Sequence, residues 1–127
     1  MNIGIDIDFT ITFSEESAAF FSLITNLLKG NAKIFIITNR GTDNKEKTEK
    51  ELSELNIYYD ELVITAKKAE YIIENDVSVY FEDTDEYFLN LPPEITVFKI
   101  REYGNFDFIH HKWIYDKKSG YNINELV

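Results

Sequence analysis

Five short apolar runs punctuate this chain, and between them apolar positions recur mostly at helical intervals. The first run, "NIGIDI" at residues 2–7, is rich in β-branched side chains and predicts a buried strand. Ser14 then offers an N-cap, and Glu15 and Glu16 put negative charge in the first helical turn. Phe20, Leu23, Ile24, Leu27 and Leu28 follow helical spacing up to a stop at Gly30. "KIFIIT" at residues 33–38 predicts a second strand. Residues 44–56 predict a charged helix, with Glu46 and Lys50 at the favourable four-residue spacing and a thin apolar face of Leu52 and Leu55. That helix is expected to be largely exposed. "ELVIT" (61–65) reads as a third strand, "KKAEYIIEN" (67–75) as a helix with Ala69, Ile72 and Ile73 on its core side, and "VSVYF" (77–81) as a fourth strand. A short helix, Pro92-Pro93 and a fifth strand "ITVFKI" (95–100) follow.

Strands alternating with helices of this size imply right-handed crossovers and a parallel sheet covered on both faces. The expected fold is therefore α/β, a Rossmann-like three-layer sandwich in one domain over residues 1–127. Residues 1–100 would form its core. Residues 101–127 lose the periodicity but carry Tyr103, Phe106, Phe108, Trp113, Tyr115 and Tyr121, so they are expected to pack on the core as loop with a hairpin around "DKKSG".

Composition narrows the chemistry. The chain of 127 residues contains no cysteine, which excludes disulfides, thiolate catalysis and sulfur-ligated zinc. Its formal charge of −10 disfavours binding to duplex nucleic acid or anionic membrane. The apolar runs are too short to cross a bilayer, and no secretory signal pattern opens the chain. A soluble, cytoplasmic protein is the expectation.

Ligands of open α/β sheets bind at the carboxyl ends of the strands. Here the first strand ends in Asp6, Asp8 and Thr10, the second in Thr38, Asn39 and Arg40, and the fourth in Glu82, Asp83 and Asp85. Lys67 and Lys68 open the helix that precedes the fourth strand, on the same rim. Two carboxylates about 5 Å apart repel by roughly 3 kcal/mol at an effective dielectric of about 20. A crowd of them approaches the whole stability of a small domain, roughly 5–15 kcal/mol. Either a proton or a cation must be shared, and with only oxygen ligands a hard ion, Mg²⁺ above all, is favoured. Aspartates at strand ends also serve as turn formers and caps, which is the plain reading of any one of them. By the same standard Arg40 reads as a solvated loop cation, residues 43–54 as an exposed helix face, and Asp85 and Glu86 as caps. His110 and His111 lack metal-ligand spacing and read as packing or surface residues.

Taken in order, these residues resemble the haloacid dehalogenase superfamily, whose members are mostly phosphatases. "DIDFT" is similar to its first motif, DxDx[TV]; "FIIT" to the second, a strand ending in Thr or Ser; a lysine ahead of the fourth strand and the acidic pair in "VYFED" to the third and fourth. Phe9 departs from the glycine common there, and a bulky ring beside the site would restrict the substrate. The resemblance implies an aspartyl-phosphate mechanism. Asp6 would be the nucleophile and Asp8 the general acid and base, Asp8 also offering its backbone carbonyl to Mg²⁺. Thr38 would bind a phosphate oxygen, with Thr10 and Asn39 beside it, and Lys68, preferred to Lys67, would neutralise charge on Asp6 and the phosphoryl group. Asp6 and Asp83 would ligate Mg²⁺ and Glu82 would act through water.

Many relatives insert a cap domain after the first motif or the second. One helix separates Thr12 from Lys33, and one helix and a short strand separate Arg40 from Lys67, so neither gap holds a cap. An open site suits a phosphorylated small molecule, a phosphoryl group exposed on a larger partner, or closure by a second subunit. "TNRG" followed by "IYYDELVIT" is similar to the nucleotidase-like branches. Two rivals keep the fold: a phosphate- or Mg²⁺-binding regulatory module without turnover, and a receiver domain. The receiver needs an aspartate at the end of the third strand, where this chain has "VITAKK".

Overall fold

The computed structural model describes residues 1–100, 105–107 and 110–114, with side chains for residues 1–100, 110 and 111. Its five core strands are β1 (Asn2–Ile5), β2 (Lys33–Thr38), β3 (Glu61–Ile64), β4 (Val79–Glu82) and β5 (Thr96–Lys99). They form one parallel sheet in the order β3-β2-β1-β4-β5. Helices α1 (Glu15–Leu28), α2 (Lys45–Glu54) and α3 (Lys68–Glu74) make the crossovers. The expected α/β three-layer architecture is what forms, and no cap domain is present among the described residues.

Chain order explains the layers. From β1 the chain steps outward to β2 and β3, then returns past β1 to β4 and β5. Right-handed crossovers in opposite directions put their helices on opposite faces. Accordingly, Phe21 of α1 and Leu52 of α2 pack with Ile3, Ile5, Ile34 and Ile36 in one core. Ile72 of α3 packs with Phe35, Ile37, Val77 and Tyr80 in the other. Side chains of a strand alternate between faces, so β2 feeds both cores at once, Ile34 and Ile36 into one and Phe35 and Ile37 into the other. Gly4 lies in close contact with both neighbouring strands: a Cβ there would stand 3.0 Å from Ile37 Cδ1 and from Tyr80 Cδ1.

Helical periodicity located α1, and Ser14 caps it by accepting a hydrogen bond from Ser17 N–H. The buried face is rotated from the expected stripe. Phe21 and Thr25 are buried, whereas Phe20, Leu23 and Leu27 are exposed. Thr25 explains the difference: its hydroxyl donates to the Phe21 carbonyl and accepts from Tyr58 N–H, so a polar residue is satisfied inside the interface. Ile73 likewise faces outward rather than into the core. On α2 the ion pair that forms joins Lys50 to Glu54 at 3.8 Å, not Glu46 to Lys50. Beyond α1, the sheet face over β4 and β5 carries an apolar groove of about 320 Å³, lined by Ile24, Leu28, Val79, Phe81 and Phe98 among others.

After β5 the strands β6 (Asn105–Asp107) and β7 (Lys112–Ile114) pair antiparallel through a turn at His110 and His111. The hairpin is therefore centred there; the segment "DKKSG" lies outside the described residues. Both histidines are exposed. The expected packing of Trp113 and the remaining tail aromatics also falls outside the described side chains. No helix among the described residues is long and apolar enough to cross a membrane.

Candidate functional site

The sheet order makes β1 and β4 neighbours although they are far apart in the chain, and the crossovers diverge on either side of them. Such a switch point opens a crevice at the carboxyl ends of the strands. Asp6 follows β1 and donates its backbone N–H to Phe81 O at 3.0 Å, extending the ladder by one residue. Glu82 ends β4 and Asp83 follows it. Their side chains meet in the crevice: Asp6, Glu82 and Asp83 each offer an oxygen within 4.8 Å of the others, and all three residues are buried.

A turn after Asp6 completes the centre. Phe9 adopts φ +59°, a left-handed conformation that costs a residue with a Cβ about 1–2 kcal/mol. Hydrogen bonds from Thr10 and Thr12 N–H to Ile7 O, both 3.1 Å, hold the turn. It brings the Thr10 hydroxyl back to 3.0 Å from Asp6 Oδ2 and 3.1 Å from Asp83 Oδ1. One hydroxyl proton serves only one of those carboxylates, so the other must carry a proton or meet a cation.

Lys68 supplies the positive charge. It is the first residue of α3, and its ammonium reaches Asp6 Oδ1 at 2.7 Å and Glu82 Oε2 at 3.0 Å. Lys67, the alternative, stays at the surface beside Glu70. Glu82 accepts four hydrogen bonds: Tyr80 Oη and Lys68 donate to one oxygen, and the N–H groups of Asp83 and Thr84 to the other. Burial would lower the Lys68 pKa, but the Asp6 and Glu82 carboxylates override it and hold the pKa above its ordinary value. Asp6 is pushed well up, first by burial and then by Glu82; Glu82 is raised chiefly by burial. One ammonium cannot neutralise three carboxylates, so the cluster favours taking up a proton or a cation. All-oxygen donors, close together and out of bulk water, fit a hard divalent cation.

Two further residues complete the rim. Thr38, the last residue of β2, is fully buried, and its hydroxyl has no partner among the described residues. An orphaned buried hydroxyl costs about 1–3 kcal/mol unless a ligand satisfies it. Asn39 is exposed and donates to Tyr87 Oη at 3.2 Å, while the Tyr87 ring lies 4.2 Å from the Lys68 ammonium. Since β1 lies between β2 and β4, this bridge spans the rim on either side of Asp6.

Asp8 departs from the group. It is half exposed, and both its oxygens are taken by Arg40, from Nε at 3.1 Å and from Nη2 at 2.8 Å. Arg40 is no solvated loop cation: its Nη1 also reaches Glu51 Oε2 at 2.6 Å and Thr48 Oγ1 at 3.1 Å, both on α2. Asp85, expected as a cap, pairs with Lys99 at 2.7 Å, and Thr84 holds the N-cap position of the short helix. A separate cleft of about 640 Å³, lined by Asn44, Lys47, Thr48 and Glu51, shares only Arg40 with these rim residues.

No known family model and no curated protein matches the chain. The likeness is structural. A chain of the Pnkp1/Rnl/Hen1 complex superimposes with a TM-score of 0.62 at 16% identity, over 78% of this chain and 45% of that one. A chain of the Pnkp1/Rnl/Hen1 RNA repair complex does so with a TM-score of 0.59 at 18% identity, over 78% and 42%. This chain thus spans less than half the length of those neighbours, and at such identity the likeness is one of fold.

Sequence reasoning placed Asp6, Thr10, Thr38, Lys68, Glu82 and Asp83 on one rim, and there they lie. It missed Tyr80, whose position two residues before Glu82 in an alternating strand was an available signal. Arg40 carried no comparable signal, because its carboxylate partners stand 32 and 11 residues away.

Proposed function

We propose that this protein is a Mg²⁺-dependent phosphomonoester hydrolase of the haloacid dehalogenase type, working through an aspartyl-phosphate. The observation that carries the reading is the buried contact of Lys68 with both Asp6 and Glu82, on the rim where the Thr38 hydroxyl is left unpartnered. A phosphoryl group entering there meets a nucleophile, a cation and an idle hydrogen-bond donor together. An Asp6 oxygen forms a bond to phosphorus, the ester P–O bond breaks, and the leaving oxygen takes a proton from the Asp8 carboxyl. Water then attacks phosphorus, Asp8 accepts its proton, and the Asp6–phosphorus bond breaks to release phosphate. Lys68 offsets charge on Asp6 and on the transferring group, and Glu82 keeps Lys68 in place. Bound by Asp6 and Asp83, with Glu82 acting through water, Mg²⁺ would supply Lewis-acid neutralisation of the phosphoryl oxygens.

The absence of a cap among the described residues favours an accessible phosphoryl group, on a small molecule or on a larger partner. The structural neighbours come from an RNA repair assembly, which supports the larger-partner option. The tight pairing of Lys68 with Asp6 and Glu82 favours one other reading, a Mg²⁺- or phosphate-binding module without turnover. Steady-state hydrolysis of an aryl phosphate with Mg²⁺ or with chelator separates the two. The hydrolase reading expects Mg²⁺-dependent turnover that Asp6→Asn lowers by at least about 10³-fold. Turnover that survives in Asp6→Asn would overturn it.

A further inference from the structure

The two aspartates of "DID" are held by different cations, and the second clamp has no place in the reaction as drawn so far. Arg40 grips both oxygens of Asp8, while Glu51 and Thr48 grip Arg40 from the other side. Thr48 is fully buried, so the anchor on α2 is firm. The guanidinium therefore keeps its place when Asp8 lets go, as an acid–base group must when it accepts or gives a proton.

We propose that Arg40 is a positioning residue: it holds the Asp8 carboxylate on the solvent side of the rim, apart from the Asp6–Lys68–Asp83 centre, as a separate acid–base arm. This rests on the hydrolase reading above. Asp8 is two residues from Asp6, and an unrestrained carboxylate there is drawn toward Lys68 or a bound cation, away from the solvent side of the rim. Guanidinium geometry suits the task, because its planar fork fixes the orientation of a carboxylate as an ammonium cannot. Glu51 takes the remaining charge of the guanidinium and sets its direction.

Leaving-group dependence tests this. A nitrophenolate departs without a proton, whereas an alkoxide needs one, so misplacing the acid penalises alkyl phosphates selectively. Wild type, Arg40→Gln, Arg40→Lys and Glu51→Gln are compared on para-nitrophenyl phosphate and on an alkyl phosphate with Mg²⁺. Arg40→Gln is expected to lower kcat on the alkyl ester by about 10²-fold, and at least about tenfold more than on the nitrophenyl ester, with KM little changed. Arg40→Lys should fail to restore the ratio, and Glu51→Gln should shift it in the same direction by less. Equal losses on both esters would assign Arg40 to the phosphoryl group or to the fold and overturn the positioning role alone. Absence of Mg²⁺-dependent hydrolysis of either ester by the wild type would overturn the hydrolase reading and this role with it.

Discussion

Asp6 and Asp8 leave the same strand end and arrive in opposite environments. The Asp6 side chain is 5% exposed, bonded to a buried lysine and crowded by two further carboxylates. Asp8 is 52% exposed and held by an arginine that belongs to the α2 side of the rim. The contrast shows what each position can do. A carboxylate kept from water with its pKa pushed up favours partners that replace the proton, a cation or a phosphorus centre. One at the rim, paired to a guanidinium that α2 anchors, lies where solvent and an incoming group can reach it. Under the proposed reaction, the nucleophile and the acid–base arm would differ in burial more than in chemistry.

Removing each cation in turn should separate the two regions by stability. Lys68→Met leaves the Asp6–Glu82–Asp83 cluster without its ammonium and is expected to cost about 3–5 kcal/mol in chelator, the cost of breaking a buried pair. Denaturant unfolding measures it, and acidic pH should reduce the loss as the carboxylates take up protons.

pH should divide the regions next. The folded-state pKa values of Asp6 and Glu82 are raised, so the folded chain holds protons that the unfolded chain has released. In chelator, stability is therefore expected to fall as pH rises from their ordinary values, 3.8 and 4.5, and to level off once both are ionised in the folded state. The raised Lys68 pKa contributes stability that is lost only in the alkaline range, above its ordinary 10.5. Saturating Mg²⁺ should stabilise more at neutral than at acidic pH, because it takes the place of the retained proton. Thermal melts across a pH series check both trends; Asp6→Asn should flatten them and Arg40→Gln should not.

The smallest effect belongs to the exposed arm. Arg40→Gln breaks partly exposed pairs and is expected to cost at most about 1 kcal/mol in denaturant unfolding. A loss comparable to that of Lys68→Met would erase the distinction between the two regions.

Much of this was legible in the residues. Short β-branched runs alternating with amphipathic segments, the first of them capped by Ser14, specified the parallel sheet, and strand-end positions placed Asp6, Thr38, Glu82 and Asp83 on one rim. Local signals fail where a partner is remote. The rotation of α1 turns on Thr25 meeting Tyr58, and the clamp on Asp8 on Arg40 meeting α2, contacts that only the packed fold creates. The β6–β7 turn at His110 and His111 escaped because His111 takes φ +55° without the glycine or asparagine that usually announces such a turn.

The most direct test of the central claim is to look for the phosphoryl group on the chain itself. The protein is mixed with a reactive phosphate ester and Mg²⁺, quenched in acid within a turnover, and examined by intact-mass and peptide mass spectrometry. The account predicts a single phosphoryl adduct on the peptide containing Asp6, absent from Asp6→Asn and from samples with chelator. Turnover under the same conditions with no adduct, or with the adduct on another residue, would contradict it.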